Sequence, residues 1–456
     1  MRDSLRNPLR MTLAVLLSTI FTANISLADS MIITPQVLRE NIMQNNISLL
    51  KGLNQVYQSK LSMNVSRANL LPSLNLGAAL QVGQSNFILS SITMLMPFLI
   101  PSNWFNYRQN QYLFEAEKQA YYLLQLNTYA SAYSTLQIIN EDLALREILF
   151  RQYQNLVKIQ DVIAKRVELG LSSQTDLIQA QAQVQMSMVQ LSQMDELLTQ
   201  EHAIFRVVLA LPLEQEFDIQ RIAVPQSGVE SLSQQELLKV SLEKSPEYKQ
   251  INSMIKASEE GQWSKVFAFI SSASMTSTGS NGRSASFDPV TASASFSLGF
   301  SYFPSVQLGN AAVEQIKLRK KEIEFEQARV VESTLGALKQ AKIQLDQSRK
   351  AEEGLNKVFQ IQLEKYNMGL TDILHVLDSQ NSVTLASTSR VKSQMDLDGL
   401  RITLHRMMQT DEFSQIKGCK LKPEKTGGFW GRVKDFFNSS SSQKSLDELC
   451  RPDNKD

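Results

Sequence analysis

Apolar residues recur along this chain at two different spacings, and the two spacings alternate in the same order twice. In the first pattern they sit three and four apart, as in Leu149/Phe150, Tyr153, Leu156/Val157, Ile163/Ala164 and Val167, and again in Leu355, Val358/Phe359, Leu363 and Tyr366. Such stripes bury one narrow helical seam. The opposite faces are rich in Gln, Asn, Lys and Glu, which is a solvated surface. With almost no Gly or Pro inside, the spacing predicts long helices from about Tyr107 to Glu168 and from about Ala311 to Met368. At 1.5 Å per residue each would be about 90 Å long. Gly170 and Gly369 follow directly, where a left-handed residue ends a helix, and a second helix then turns back along the first. Each half therefore predicts a long antiparallel helical hairpin.

The second pattern has period two. From Thr291 to Phe303, Ala292, Ala294, Phe296, Leu298, Phe300 and Tyr302 take one face, and Ser293, Ser295, Ser297, Gly299 and Ser301 take the other. Ser73 to Gln84 repeats this more weakly, with Leu74, Leu76, Leu80 and Val82 against Asn75, Gly77, Gln81 and Gly83. About ten residues of such alternation is the signature of a transmembrane β-strand, apolar outside and small or polar inside. A half-buried sheet in a soluble protein alternates the same way. Phe87 to Ile100 is apolar on both faces and contains Pro97, which must sit where no ladder hydrogen bond is needed. Val266 to Ser277 alternates in part and runs into a polar stretch, Ser277 to Ser286, that reads as a loop.

The two halves share a register. Gly170-Leu171 recurs as Gly369-Leu370, a shift of 199 residues, and the same shift lays Thr34 to Leu38 on Ser233 to Leu237 and Gln181 on Gln380. A period this long excludes solenoid arrays and predicts an internal duplication. Each copy reads as helix, two strands, long helix, returning helix. Pro35 behind Thr34, and Glu236 three residues after Ser233, are helix-start signals. The predicted organisation is a first copy over 29–212, a linker over 213–232, a second copy over 233–413 and a tail over 414–456.

Composition narrows the picture. The chain has 456 residues, 43% of them hydrophobic, and 46 basic residues balance 45 acidic ones, so nothing favours nucleic acid as a partner. Arg2, Arg6 and Arg10 precede an apolar run from Met11 to Phe21, and Ser26-Leu27-Ala28 precedes Asp29. These features predict a secretory signal peptide over 1–28, with no cysteine to carry a lipid. Past residue 30 no apolar run is long enough for a helical membrane span, which leaves a soluble periplasmic protein or a β-barrel. Four strands cannot close a barrel, since about eight is the practical minimum. Closure requires several chains, and a cyclic homo-oligomer would remove the open sheet edges as well. Cys419 and Cys450 allow one disulfide or two free surface thiols. His202, His375 and His405 have no metal-ligand spacing, and there is neither a phosphate loop nor a nucleophile turn, so neither enzyme nor cofactor is expected. The 16 methionines read as seam filling rather than a copper path.

Several short motifs together resemble the TolC family of outer-membrane efflux proteins over nearly the whole mature chain. They are Leu38 with Asn45-Asn46, the strand entry Asn69-Leu70-Leu71-Pro72-Ser73-Leu74, and the exits at Pro101 and Pro304. The turn motifs Gly170 with Asp176-Leu177 and Ala180-Gln181, and Tyr366 with Gly369, Asp378 and Gln380, match as well. The resemblance implies a mainly α protein: a homotrimer whose helical hairpins form a periplasmic α-barrel and whose strands form a twelve-stranded barrel in outer-membrane lipid. It implies a passive exit duct for efflux or type I secretion. Its partners would be a periplasmic adaptor and an inner-membrane pump of the resistance-nodulation-division, ABC or major-facilitator type, with docking at the turns Gly170-Leu171 and Gly369-Leu370. It also implies a periplasmic gate in which Asp176 bonds Tyr366 and Asp378 belongs to an acidic ring. Thr371 and His375 stand where members place an arginine and a second ring aspartate, so a looser gate and a weaker acidic ring are expected; His375 either lets mild acid charge the constriction or is simply a polar helix residue facing a neighbour. The tail, with its segment from Gly428 to Phe437, would pack as a belt around the helical barrel, and residues after Ser439 would be flexible. A soluble periplasmic coiled-coil scaffold is the competing reading.

Overall fold

The structure, a computed structural model, describes residues 31–80, 87–278 and 290–418. The expected signal peptide, Cys419, Cys450 and the Gly428 to Phe437 segment lie outside the described residues, as does most of the Ser277 to Ser286 stretch.

In chain order the elements are β1 (Met31–Ile33), α1 (Pro35–Asn45), α2 (Ile47–Ala68), β2 (Ser73–Leu80), β3 (Phe87–Leu95), α3 (Pro101–Glu168) and α4 (Gln174–Val208). There follow β4 (Phe217–Ile219), α5 (Gln234–Lys244), α6 (Pro246–Val266), β5 (Ile270–Thr278), β6 (Thr291–Phe296), α7 (Tyr302–Asn367) and α8 (Ile373–Met408). The protein is mainly α with a small β part, and the same order of elements is used twice. None of its described helices is long and apolar enough to cross a membrane.

Each copy opens with two helices where the sequence predicts one. The break falls where a side chain competes for backbone N–H groups. The Asn46 side chain accepts from the amides of Ser48 and Leu49 at 3.0 and 3.3 Å. In the second copy Ser245 Oγ accepts from the Tyr248 amide at 3.2 Å, with Pro246 in the first helical turn.

The long helices begin earlier than the seam pattern suggests, and the two strands that lead into them, β3 and β6, end sooner. Pro97 has no N–H to continue the ladder, so β3 stops at Leu95 and a short 3-10 turn, Pro97–Leu99, leads into α3. The strand after the loop stops at Phe296, short of the predicted Phe303, and the Tyr302 hydroxyl instead donates to the Val266 carbonyl at 2.8 Å as α7 starts. At 68 residues α3 is about 100 Å long.

Along α3 the buried seam runs through Ala144, Ile148, Gln152, Leu156, Ile159 and Ile163. Phe150 and Val358, expected in the seams, are about two-fifths exposed. For Phe150 the reason is rotation of the α3 stripe by one residue toward α8, whose Asn381 accepts from Gln152 Nε2 at 3.5 Å.

The largest core lies midway along α3, where α1, the inter-copy segment and the end of the described chain converge. Tyr129 and Tyr133 are buried there with Phe205 and Phe413, and the Tyr129 and Phe413 rings meet edge-on at 4.9 Å. Two unanticipated links close this girdle. Strands β1 and β4 pair in parallel, Met31 opposite Phe217, and Arg39 of α1 meets Glu412 at 2.8 Å. Glu230 lies 2.6 Å from Lys342 and 3.1 Å from Arg401 and is 3% exposed, a buried ion pair that ties the segment between copies to both helices of the second hairpin.

Candidate functional site

Two regions concentrate the expected functional residues: the tips of the helical hairpins and the four-stranded sheet at the other end of the long helices.

At the tips both long helices end in the same hydrogen-bonded reversal. Leu171 and Gly170 donate to the carbonyls of Arg166 and Val167 at 2.7 and 3.0 Å, and Leu370 and Gly369 donate to Lys365 and Tyr366 at 2.8 and 3.0 Å. This pairing needs a left-handed residue, and Gly170 and Gly369 supply it with φ of 71° and 75°. Leu171 and Leu370 follow with their side chains 63% and 71% exposed.

The returning helices start on acidic caps. Asp176 and Ser173 form a capping box, each side chain taking the other's amide at 3.1 Å. Asp372 caps α8 by accepting from the His375 amide at 3.2 Å. His375 and Asp378 are exposed, and the His375 imidazole lies 4.0 Å from the Asp372 carboxylate. Asp372, His375 and Asp378 thus follow one another at three-residue spacing on the exposed side of α8, while Ile373, Val376 and Leu377 bury the other side against the first hairpin. Thr371 is half-buried beside them.

The expected bond between Asp176 and Tyr366 is replaced by another. The Asp176 carboxylate is engaged by its own capping box, and the Tyr366 hydroxyl lies 3.3 Å from Ser172 Oγ. Around Tyr366 the connecting group is Arg166, a residue outside the expected gate set. Its guanidinium sits 4.9 Å from the Tyr366 ring centroid, and Nη1 donates to the carbonyls of Tyr366 and Asn367 at 3.1 and 3.3 Å. Its Nε donates to Ser172 Oγ at 3.3 Å. One cation therefore serves the negative end of the second long helix and the loop of the first hairpin together. The available signal was a basic residue in the last turn before a capping glycine, a common way to satisfy terminal carbonyls. An arginine links the turns here after all, supplied by the first copy rather than at position 371.

The sheet has the order β2-β3-β5-β6 and is antiparallel throughout. Its register gives the two faces opposite chemistry. Asn75, Thr93, Thr276 and Thr291 lie across from one another on one face, joined by the pair Ser274 and Ser293. On the other face Leu74, Met94, Met275 and Ala292 are aligned, next to Ala273 and Ala294. Hydroxyls pair along the polar face: Ser274 with Ser293 at 3.0 Å, Ser272 with Ser295 at 2.6 Å, and Thr276 donating to Thr93 at 3.5 Å. A bulge between Ile270 and Ser272 brings Ser271 to Ser295 as well, at 2.8 Å. Leu95 is the apolar exception on this face and borders a cavity of about 430 Å³ at the strand-helix junction. Strands β2 and β6 each have an unpaired edge among the described residues.

Aromatic rings band that junction. Phe105 stacks on Phe267 at 5.4 Å and lies 6.3 Å from Trp263, and the Trp104 indole donates to the Phe98 carbonyl at 2.8 Å. Trp104, Trp263, Phe300 and Phe303 are exposed. Tryptophans, each an apolar ring with a polar N–H, in a band beside short strands are the pattern of a membrane interface, and the phenylalanines here widen its apolar part.

Midway along the helices burial raises three acids, Glu141, Glu201 and Asp398. Burial pushes Glu141 up to about 7, the nearby Asp398 charge adding to the shift against Arg221 and Arg390. Burial, with a hydrogen bond shared with Asp142, pushes Glu201 up to about 7. No group of three metal-ligating side chains occurs among the described residues.

No protein-family model matches the chain, and no curated protein does. Solved structures do. The Campylobacter jejuni CmeC outer membrane channel aligns with a TM-score of 0.72 over 84% of this chain and 88% of its own, at 13% identity. The outer membrane protein VceC of Vibrio cholerae aligns with 0.72 over 82% and 95%, and the outer-membrane channel OprN with 0.70 over 82% and 89%, both at 13% identity. At this sequence distance the likeness is one of fold, and the fold is that of the TolC-type outer-membrane channels.

Proposed function

We propose that the protein is an outer-membrane exit duct, passive in itself, that forms when three copies join their sheets into one twelve-stranded barrel and their hairpins into a periplasmic tube. The observation that carries this reading is the two-faced sheet. An apolar face of Leu74, Met94, Met275 and Phe296 suits lipid, a hydroxyl face suits water, and the open edges of β2 and β6 call for neighbours. A soluble coiled-coil scaffold would instead have to cover that apolar face, on which Leu74 and Phe296 stand out from the chain, with further protein.

In this reading the hairpin tips are the gated end. Arg166 with Tyr366 and Ser172 holds the two turns of a protomer together, and Asp372, His375 and Asp378 of each protomer line the narrowing. Gly170 and Gly369 shape the loops that present Leu171 and Leu370 to a periplasmic adaptor, behind which an inner-membrane pump would load efflux or type I secretion cargo.

Cysteine scanning tests the reading. In a Cys419→Ser/Cys450→Ser background, Ser274→Cys and Ser293→Cys react with a membrane-impermeant thiol reagent in outer-membrane vesicles, and Ala273→Cys and Ala294→Cys do not. Equal labelling of both faces would sink the barrel.

A further inference from the structure

The polar face of the sheet is uncharged throughout. Its described polar side chains are serine and threonine hydroxyls, among them Thr93, Ser272, Ser274, Ser293 and Ser295, and the Asn75 amide. The neighbourhood is equally bare. No Asp, Glu, Lys, Arg or His occurs between Arg67 and Arg108, between Lys265 and Arg283, or between Asp288 and Glu314. The two charges in the segment between β5 and β6, Arg283 and Asp288, have opposite signs. Charged residues return in number only along the helices, and at the tips they line up as Asp372, His375 and Asp378.

Pores that select by charge do so with rings of charged side chains, because a fixed charge in a water-filled passage attracts one sign of ion and repels the other. A hydroxyl can donate to or accept from a passing solute but carries no net charge. Here many of the hydroxyls are already bonded to one another across the strands, Ser274 to Ser293 and Ser272 to Ser295. The wall is thus wettable, weakly adhesive and electrostatically neutral.

Resting on the duct reading, we infer that the outer segment is a charge-indifferent conduit. It passes neutral, zwitterionic and amphiphilic cargo as readily as ions of either sign, and whatever sorting by charge the protein performs takes place in its helical part. Ser272, Ser274, Ser293 and Ser295 are the positions where this neutrality is set.

The test places the full-length protein in planar bilayers under a KCl gradient and reads the reversal potential. Ser274→Asp, which adds one carboxylate per copy to the wall, shifts the potassium-to-chloride permeability ratio several-fold toward potassium. Ser274→Lys shifts it toward chloride by a comparable factor, and Ser274→Ala leaves it unchanged. The same set at Ser293, across the ladder, repeats the result on the neighbouring strand. A conducting protein whose ratio moves with neither charge, or with one sign only, overturns the inference while leaving the duct intact, since the wall would then lie outside the passage or already hold charge. No conductance from any variant or the parent, in preparations that run as folded oligomers in detergent, overturns the duct reading and the inference with it.

Discussion

Replacing Arg166 with alanine removes every link that this guanidinium makes between the two hairpin turns. It donates to two carbonyls of α7 at 3.1 and 3.3 Å and to Ser172 at 3.3 Å, and it stacks on Tyr366 at 4.9 Å. Hydrogen bonds from a charged donor contribute about 1.5–3 kcal/mol each when well buried, and a partly exposed cation–π contact about 0.5–1 kcal/mol. Arg166 is half-buried, its bonds are long, and the terms overlap, so about 2–3 kcal/mol is the appropriate total for the clamp. At about 1.4 kcal/mol per tenfold this corresponds to a shift of about 30- to 150-fold in the balance between joined and separated turns. If the joined turns are the closed gate, the open probability of single channels in planar bilayers rises accordingly. Arg166→Lys keeps the charge but not the planar fork and falls between wild type and alanine. Tyr366→Phe, which gives up one 3.3 Å contact with Ser172, changes the open probability far less. Asp176→Ala costs about 1 kcal/mol of helix capping and leaves the Tyr366 contact in place. Arg166 is not the clamp if Arg166→Ala gates like wild type, or if Asp176→Ala opens the channel more than Arg166→Ala does.

Three further outcomes follow from the geometry. Glu141 and Glu201 are held near 7 from an ordinary 4.5, so protonation favours the fold: their contribution is complete below 4.5 and is lost as pH rises through 7. Glu141→Gln and Glu201→Gln therefore raise the melting temperature at pH 8 and lose that advantage by about pH 5; variants that track wild type at both values contradict the assignment. Gly369→Ala has room for its methyl group, the nearest atom being Arg166 Nη2 at 4.0 Å, so its cost is the left-handed backbone alone, about 1 kcal/mol by chemical denaturation, partly recovered by Gly369→Asn. If Asp372, His375 and Asp378 line the narrowing, Asp378→Asn lowers the potassium-to-chloride permeability ratio of the channel, and an unchanged ratio removes Asp378 from that role.

What was legible in the chain was what a few neighbouring residues settle among themselves. The turn at Gly170 and Gly369 needs a left-handed residue within one hydrogen-bonded loop, and the helix starts at Thr34 and Ser233 need one side chain and one amide three residues on. The alternation of Thr291 to Phe296 is likewise local, and it already announced two faces of opposite chemistry. Asn46 and Ser245 carried equally local capping signals that pass unnoticed inside an apolar pattern continuing across them.

Contacts between residues far apart in the chain were not legible, because several side chains compete for each partner and only the assembled fold decides among them. Asp176 was a reasonable match for Tyr366 until its carboxylate met a nearer amide in its own helix start, which left the tyrosine to Ser172 and to Arg166, 200 residues away. The pairing of Met31 with Phe217 and the alignment of Thr93, Thr276 and Thr291 into one hydroxyl face belong to the same class. Periodicity and capping are properties of a segment and were written in the residues. Register and the identity of the linking cation depend on how separate segments are brought side by side, and these were decided in three dimensions.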